Sequence, residues 1–245
     1  MNYSQRGFMG TPPVVKNLII INALMFLGYM ALGGSINLNW KLGLFYWGSD
    51  QFEPYQIITH MFMHGGFAHI FFNMFALWMF GRVLENVWGP KRFFIYFFVT
   101  GFGAAFLHLL VNHLQIQGLM NQMSQEQISM VMQRGAQALQ GGQNFTDPMM
   151  AKLNASMNVP TVGASGAVFG VLLAFGMLFP NTQLLLIFPP IPIKAKYFVI
   201  GYGVLELFLG FTQQGSNVAH FAHVGGMIFG FILIKYWNSQ KKSFF

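Results

Sequence analysis

The chain contains no cysteine. Disulfides, thiol nucleophiles and thiolate metal sites are therefore excluded, and any chemistry rests on hydroxyls, imidazoles and carboxylates. Charge is also scarce: Lys, Arg, Asp and Glu make up 8% of 245 residues, against about 25% in a soluble domain. Phenylalanine alone contributes 29 residues and 54% of the chain is hydrophobic, a composition that could not keep a folded surface in water. No HExxH pattern and no internal repeat occur. No cleavable leader is apparent, because the first apolar run is too long for a signal-peptide core and is expected to stay in the mature protein. The formal charge of +7 does not gather into one patch. Basic residues flank apolar runs, so membrane topology explains them better than nucleic acid does.

What is present is a series of apolar runs. A helix needs about 20 apolar residues to cross a hydrocarbon core of roughly 30 Å. Six stretches meet or approach that length, near residues 17–35, 68–87, 93–113, 164–179, 196–212 and 218–237. The fourth is short and ends at Pro180. The expected fold class is an all-α polytopic membrane protein of six spans, with a domain at 14–238 between tails at 1–13 and 239–245. Cytoplasmic termini put Arg6, Lys16, Lys91, Arg92, Lys194, Lys196, Lys235, Lys241 and Lys242 inside, with Arg82 near the same side. Only Lys41, Arg134 and Lys152 then lie outside, an asymmetry that fits the positive-inside rule. With no targeting segment ahead of the first run, the cell (plasma or inner) membrane is the expected location.

Three connections stand out. Residues 36–67 carry Trp40, Phe45, Tyr46 and Trp47 among few charges, as expected of a loop in the outer interface. Residues 114–160 form a polar insertion in which 124–139 reads as a short amphipathic helix and the rest as flexible. Pro189–Pro192 prevents the fourth helix from running straight into the fifth.

The fourth helix opens with Gly163-Ala164-Ser165-Gly166 and continues to Phe169 and Gly170. Gly163 permits a strained entry, Gly166 removes bulk beside the hydroxyl, and free N–H groups of the first turn can stabilise an oxyanion. The plainer reading makes Ser165 a helix cap among small packing residues. The sixth helix places His223, Gly226 and Gly230 on one face, where they can meet Gly166 and Gly170 and bring an imidazole to the hydroxyl. His220, one turn nearer to external water, is the alternative base. Either histidine could instead be a buried side chain bonded to backbone carbonyls.

On the second helix His69 and Asn73 share a face, and both suit an oxyanion hole or, more plainly, an interhelical hydrogen bond. His60 and His64 precede them, and three histidines raise the question of a metal. The nearby carboxylates are Asp50 and Glu53 alone, in no metal-ligand spacing, so no metal and no cofactor is expected. Glu206 stands near the middle of the fifth helix, where its plainer reading is a side chain that is protonated or hydrogen-bonded to a neighbouring helix, and Glu85 is within reach of Arg82.

Together, His69-x-x-x-Asn73, Gly163-x-Ser165-Gly166 and Ala222-His223 followed by Gly226 and Gly230 resemble the rhomboid family of intramembrane serine proteases. The resemblance implies a six-helix rhomboid-like bundle in which Ser165 is the nucleophile and His223 the base, a dyad without an aspartate. It also implies an oxyanion hole from the Ser165 N–H, His69 and Asn73, and a Phe169 ring stacked on the imidazole. Substrates would be transmembrane segments entering from lipid between the second and fifth helices. Water would arrive through a polar cavity lined by His64, His69, Asn73 and His220. Where many members carry Trp-Arg, this chain has Tyr55-Gln56, which leaves the anchoring of the first outer loop open. The insertion is expected to restrict or recruit substrates. Two other readings stand beside this one: a rhomboid-like pseudoprotease that binds membrane clients, and a transporter built on Glu206.

Overall fold

The computed structural model describes residues 10–33, 35–185, 190–212 and 219–241. Arg6, Pro189 and Lys242, the tail beyond 241 and most of the tail before 14 lie outside them. In chain order the helices are α1 (Pro13–Leu32), the short α2 (Leu38–Leu42) and α3 (Gln56–Thr59), α4 (Phe67–Trp88) and α5 (Pro90–Met120). They continue with α6 (Gln125–Gln140), α7 (Pro148–Asn158), α8 (Ser165–Leu178), α9 (Ala195–Thr212) and α10 (His220–Lys241). By length and composition α1, α4, α5 and α9 can each cross a membrane, and α8 is a shorter apolar helix. The architecture is an all-α polytopic bundle with one small addition. Between α8 and α9, β1 (Gln183–Leu185) pairs antiparallel with β2 (Pro192–Lys194), so the two described ends of the link form a short ribbon.

Helix α8 lies at the centre. Every residue from Gly166 to Gly176 except Leu173 is buried, as expected of a helix that is apolar all round. Helices α5 and α10 pack along it, and α1, α4 and α9 lie further out. The outer faces of α4 and α9 expose Phe67, Phe71 and Phe72, and Ile200, Phe208 and Phe211, which is the lipid-facing pattern of a membrane bundle.

Helix α1 starts at Pro13, whose fixed φ suits a first turn, but its N-cap, Pro12, has no side-chain acceptor. Glu85 of α4 supplies one from 70 residues away: its two carboxylate oxygens accept the N–H groups of Val14 at 2.9 Å and Val15 at 2.8 Å. The pair expected between Glu85 and Arg82 is replaced by this cap, and the Arg82 guanidinium lies 4.2 Å from the Trp78 ring centroid instead. A carboxylate buried at 2% exposure needs fixed donors, and a helix N-terminus offers two together with a favourable dipole. Glu85→Gln is expected to cost about 1–2 kcal/mol, seen as a lower Tm in detergent.

The loop between α1 and α4 is anchored where the sequence left the question open. Gln56 is 1% exposed. Its Oε1 accepts from Glu53 N at 3.1 Å and Phe45 N at 3.3 Å, while Nε2 donates to the Gln51 carbonyl at 2.9 Å. Tyr55 stays on the surface. One amide thus gathers three backbone groups of its own loop.

The insertion is folded throughout its described length, in contrast to the expectation of a single helix in a flexible segment. Helix α5 runs on to Met120, and a Ser124–Gln127 capping box starts α6. Asp147 caps α7 by accepting from Met149 and Met150, with Pro148 in the first turn. Ile128 and Val131 of α6 and Met150, Leu153 and Met157 of α7 close on Tyr46 and Ile116 in a second apolar core. A buried polar chain ties this unit to the loop: Ser49 Oγ donates to Asn158 Oδ1 at 2.7 Å, and Asn158 Nδ2 to Asn154 Oδ1 at 2.9 Å.

Candidate active site

Ser165 is the first residue of α8, and Ala164 takes the N-cap position. The hydroxyl therefore does not cap the helix. Its Oγ lies 2.8 Å from Nε2 of His223 on α10. The entry to the helix is held from two sides. Leu44 and Thr161 exchange backbone hydrogen bonds at 2.9 and 2.8 Å, and Gly163 N donates to the His60 carbonyl at 2.9 Å. Gly163 has φ +128°, a conformation side chains rarely adopt, and a Cβ there would sit 2.7 Å from His69 Nε2.

The glycines expected to join two helices in fact serve three. A Cβ on Gly226 would overlap the Gly166 carbonyl, so α8 and α10 touch backbone to backbone beside Ser165. Gly166 is also closed by Ala104 of α5. Further down, α5 takes over: Gly170 faces Thr100, and Gly230 faces the Tyr96 hydroxyl, which donates to the Gly170 carbonyl at 2.8 Å. The continuous Gly166–Gly170 against Gly226–Gly230 seam does not form. The bulk of Thr100 and Tyr96 occupies its lower half.

Phe169, one turn after Ser165, stacks on His223 with ring centroids 4.2 Å apart and planes 6° from parallel. His69 lies against Gly163, and Asn73 Nδ2 donates to the His69 carbonyl at 2.8 Å. Both line a cavity of about 1440 Å³ that also reaches Ser165, His220 and His223. His60 and His108 line it as well. His64 does not: it is fully buried behind His69, edge-on at 5.0 Å between ring centroids. The insertion forms one wall through Ala151, Lys152, Ala155 and Ser156. Phe72 and Ala76 of α4 and Tyr202 and Gly210 of α9 border it on the lipid side.

His220 turns away from the serine. Its Nδ1 lies 2.7 Å from Oε2 of Glu206, and the same oxygen lies 2.8 Å from His223 Nδ1. A hydrogen bond from Glu206 to a neighbouring helix was the plainer expectation; that its partners are His220 and His223 is the part that sequence reasoning missed. The signal was there: a carboxylate inside a bundle needs donors, and two histidines spaced i, i+3 on the facing helix were the available ones. Among the described residues Glu206, His220 and His223 are also the one trio whose ligand atoms converge as a metal site would require. The two distances to Glu206, 2.7 and 2.8 Å, are those of hydrogen bonds, whereas a tetrahedral ion with bonds of about 2.0–2.1 Å holds its ligands roughly 3.3 Å apart.

In the loop behind the site, burial lowers His60 to about 4 and His64 to about 3, with neighbouring His69 adding to the second shift. Unfolded histidine titrates near 6.5. Between these values the unfolded chain binds more protons, so stability is complete above about pH 6.5 and is lost as pH falls towards 4 and then 3. Tm in detergent should therefore fall across that window. His64→Phe should reduce the fall, since the replacement has nothing to protonate.

The rhomboid-domain family model matches residues 51–239. Among curated proteins, the chain is 27% identical over 174 residues to Rhomboid protein 1, mitochondrial, of Saccharomyces cerevisiae, covering 71% of this chain and 39% of that protein. It is 27% identical over 219 residues to RHOMBOID-like protein 12, mitochondrial, of Arabidopsis thaliana, covering 87% and 55%. With Rhomboid protease GluP of Bacillus subtilis the identity is 23% over 231 residues, covering 91% and 34%. The matched region thus spans between about a third and just over half of these relatives' lengths. With the family match covering most of the chain and the apolar bundle around it, this is an integral membrane protein belonging to the rhomboid family.

Proposed function

We propose that the protein is an intramembrane serine endopeptidase that cleaves transmembrane segments of other membrane proteins. The observation that carries this reading is the 2.8 Å contact between Ser165 Oγ and His223 Nε2 inside a cavity bordered by lipid-facing helices. His223 takes the hydroxyl proton as Ser165 Oγ bonds to the scissile carbonyl carbon. The oxyanion is met by free N–H groups at the start of α8, with His69 and Asn73 alongside. The imidazolium then protonates the leaving amine as the C–N bond breaks. Water, deprotonated by the same ring, releases the acyl group and returns the proton to Ser165.

The scissile segment must unwind, because helical carbonyls are already bonded and sterically covered. The border of α4 and α9 is the proposed entry, and the insertion wall is the proposed contact for the part of the substrate outside the membrane. Cytoplasmic termini in the cell membrane belong to the same reading, supported by the distribution of lysine and arginine. The pseudoprotease reading gains nothing from a site that retains both serine and histidine in contact. The transporter reading loses its main support, since two imidazoles account for Glu206.

The test is a reporter with one transmembrane segment, co-reconstituted with the purified protein in liposomes. Two fragments cut within or at the edge of that segment are expected. A reporter left intact by the wild-type protein in several sequence variants would contradict the reading.

A further inference from the structure

Glu206 is the single carboxylate of α9, it is 5% exposed, and no step above uses it. An ionised Glu206 only accepts hydrogen bonds, and in that state the two Nδ1 atoms at 2.7 and 2.8 Å from its one oxygen both carry protons. For His223 this leaves the lone pair on Nε2, where the Ser165 hydroxyl lies 2.8 Å away. That is the tautomer a general base requires.

The Phe169 stack cannot make this choice. Rotating the imidazole by half a turn about its own bond preserves ring centroid and plane but exchanges the nitrogen and carbon edges. Stacking fixes the plane; only an acceptor at Nδ1 fixes which edge meets the serine and which nitrogen carries the proton. Such an acceptor also stabilises the positive ring formed when the serine proton arrives.

We propose that Glu206 is a positioning residue of the active site, acting through His223 to set its tautomer and ring orientation and to offset the charge of the imidazolium. The expected dyad thereby becomes a line of Ser165, His223 and Glu206. His220 is the second donor on the carboxylate and keeps it from turning away. The inference rests on the protease reading above. The other titratable groups around this line are Tyr202 on α9, His69 on α4 and His108 on α5, and none of them hydrogen-bonds to Glu206 or to the His223 ring.

The test compares wild type, Glu206→Gln and Ser165→Ala on the transmembrane reporter, with nitrogen NMR of the His223 ring. Wild type should show Nδ1 protonated and Nε2 unprotonated. Glu206→Gln should lower kcat by about 10²–10⁴-fold, with KM within about threefold, and should populate the other tautomer. A merely structural tie between α9 and α10 would lower Tm without changing tautomer at the remaining active sites. A cleaving wild type with Nε2 protonated overturns the proposal, whether or not the glutamine variant folds. So does a folded Glu206→Gln within threefold of wild type. A wild type that cleaves nothing removes the protease reading itself, and this proposal with it.

Discussion

Ser165→Ala and His223→Ala are each expected to lower kcat/KM for reporter cleavage by roughly 10³–10⁶-fold, and the double variant should be no slower than the slower single one. The reason is that in the proposed mechanism the two side chains form one reacting unit. With the hydroxyl gone, the imidazole has no proton to take; with the imidazole gone, the hydroxyl stays protonated and weakly nucleophilic. Independent contributions would multiply instead, and a double variant slower than either single one by the product of their losses would place the two residues in separate roles. The measurement is a double-mutant cycle on initial rates, with KM determined separately. Both residues line the cavity, but each change removes only the reacting end of one side chain and leaves the rest of the wall in place, so KM should move by less than about threefold. Tm should remain close to that of the wild type for Ser165→Ala, whereas His223→Ala removes a buried ring from Phe169 and a hydrogen-bond partner from Glu206 and should lower it.

The second large effect concerns folding. Gly226→Val should destabilise the protein by roughly 3 kcal/mol or more and remove activity with it. A side chain at this position meets the carbonyl of Gly166, which is backbone and cannot rotate aside. Relief requires α8 and α10 to separate, and that separation also opens the gap between Ser165 and His223. Even Gly226→Ala meets the same atom and should show a reduced form of the effect. The control is Gly201→Ala on α9, where an added Cβ has nothing within 4 Å. That variant should be neutral or slightly more stable, because alanine favours the helix by up to about 1 kcal/mol over glycine. Equal losses of Tm for the two positions would show that close helix approach is not what Gly226 provides.

How much of this was legible beforehand depended on the range of the signal. The spans were readable because about 20 apolar residues in a row have few other uses, and α8 and α9 fall within a residue or so of their expected bounds. Helix α1 begins four residues earlier than expected because Pro13 favours a first turn and Glu85 completes it from another helix, which no local pattern reveals. The length of α5 and the second insertion helix were missed for a different reason. Polar composition suggested a mobile segment, while Asp147-Pro148 was a start signal that was present but not weighted. Gln56 was read as a gap in the loop's anchoring and is instead its hub. A long polar side chain can satisfy three backbone groups as well as an ion pair can, and spacing alone does not distinguish the two.

The site shows the same division. Ser165, His223, Phe169, His69 and Asn73 were named from motifs, and the structure brings them around one cavity. His64 was placed in the cavity from its position in the chain, yet the turn before α4 carries its ring inward, behind His69. Glu206 was read as a costly intramembrane group whose partner on a neighbouring helix went unnamed, and His220 was weighed as a rival base. Each explains the other once α9 and α10 are side by side, a relation that lies 14 residues apart and between two helices.

The most direct test of the central claim is to treat the purified protein with a fluorophosphonate and locate the adduct by mass spectrometry. An activated hydroxyl should carry the phosphonyl group on Ser165 alone, and His223→Ala should lose the label. An unmodified Ser165 in protein that is folded and reconstituted, or equal labelling with and without His223, would contradict it.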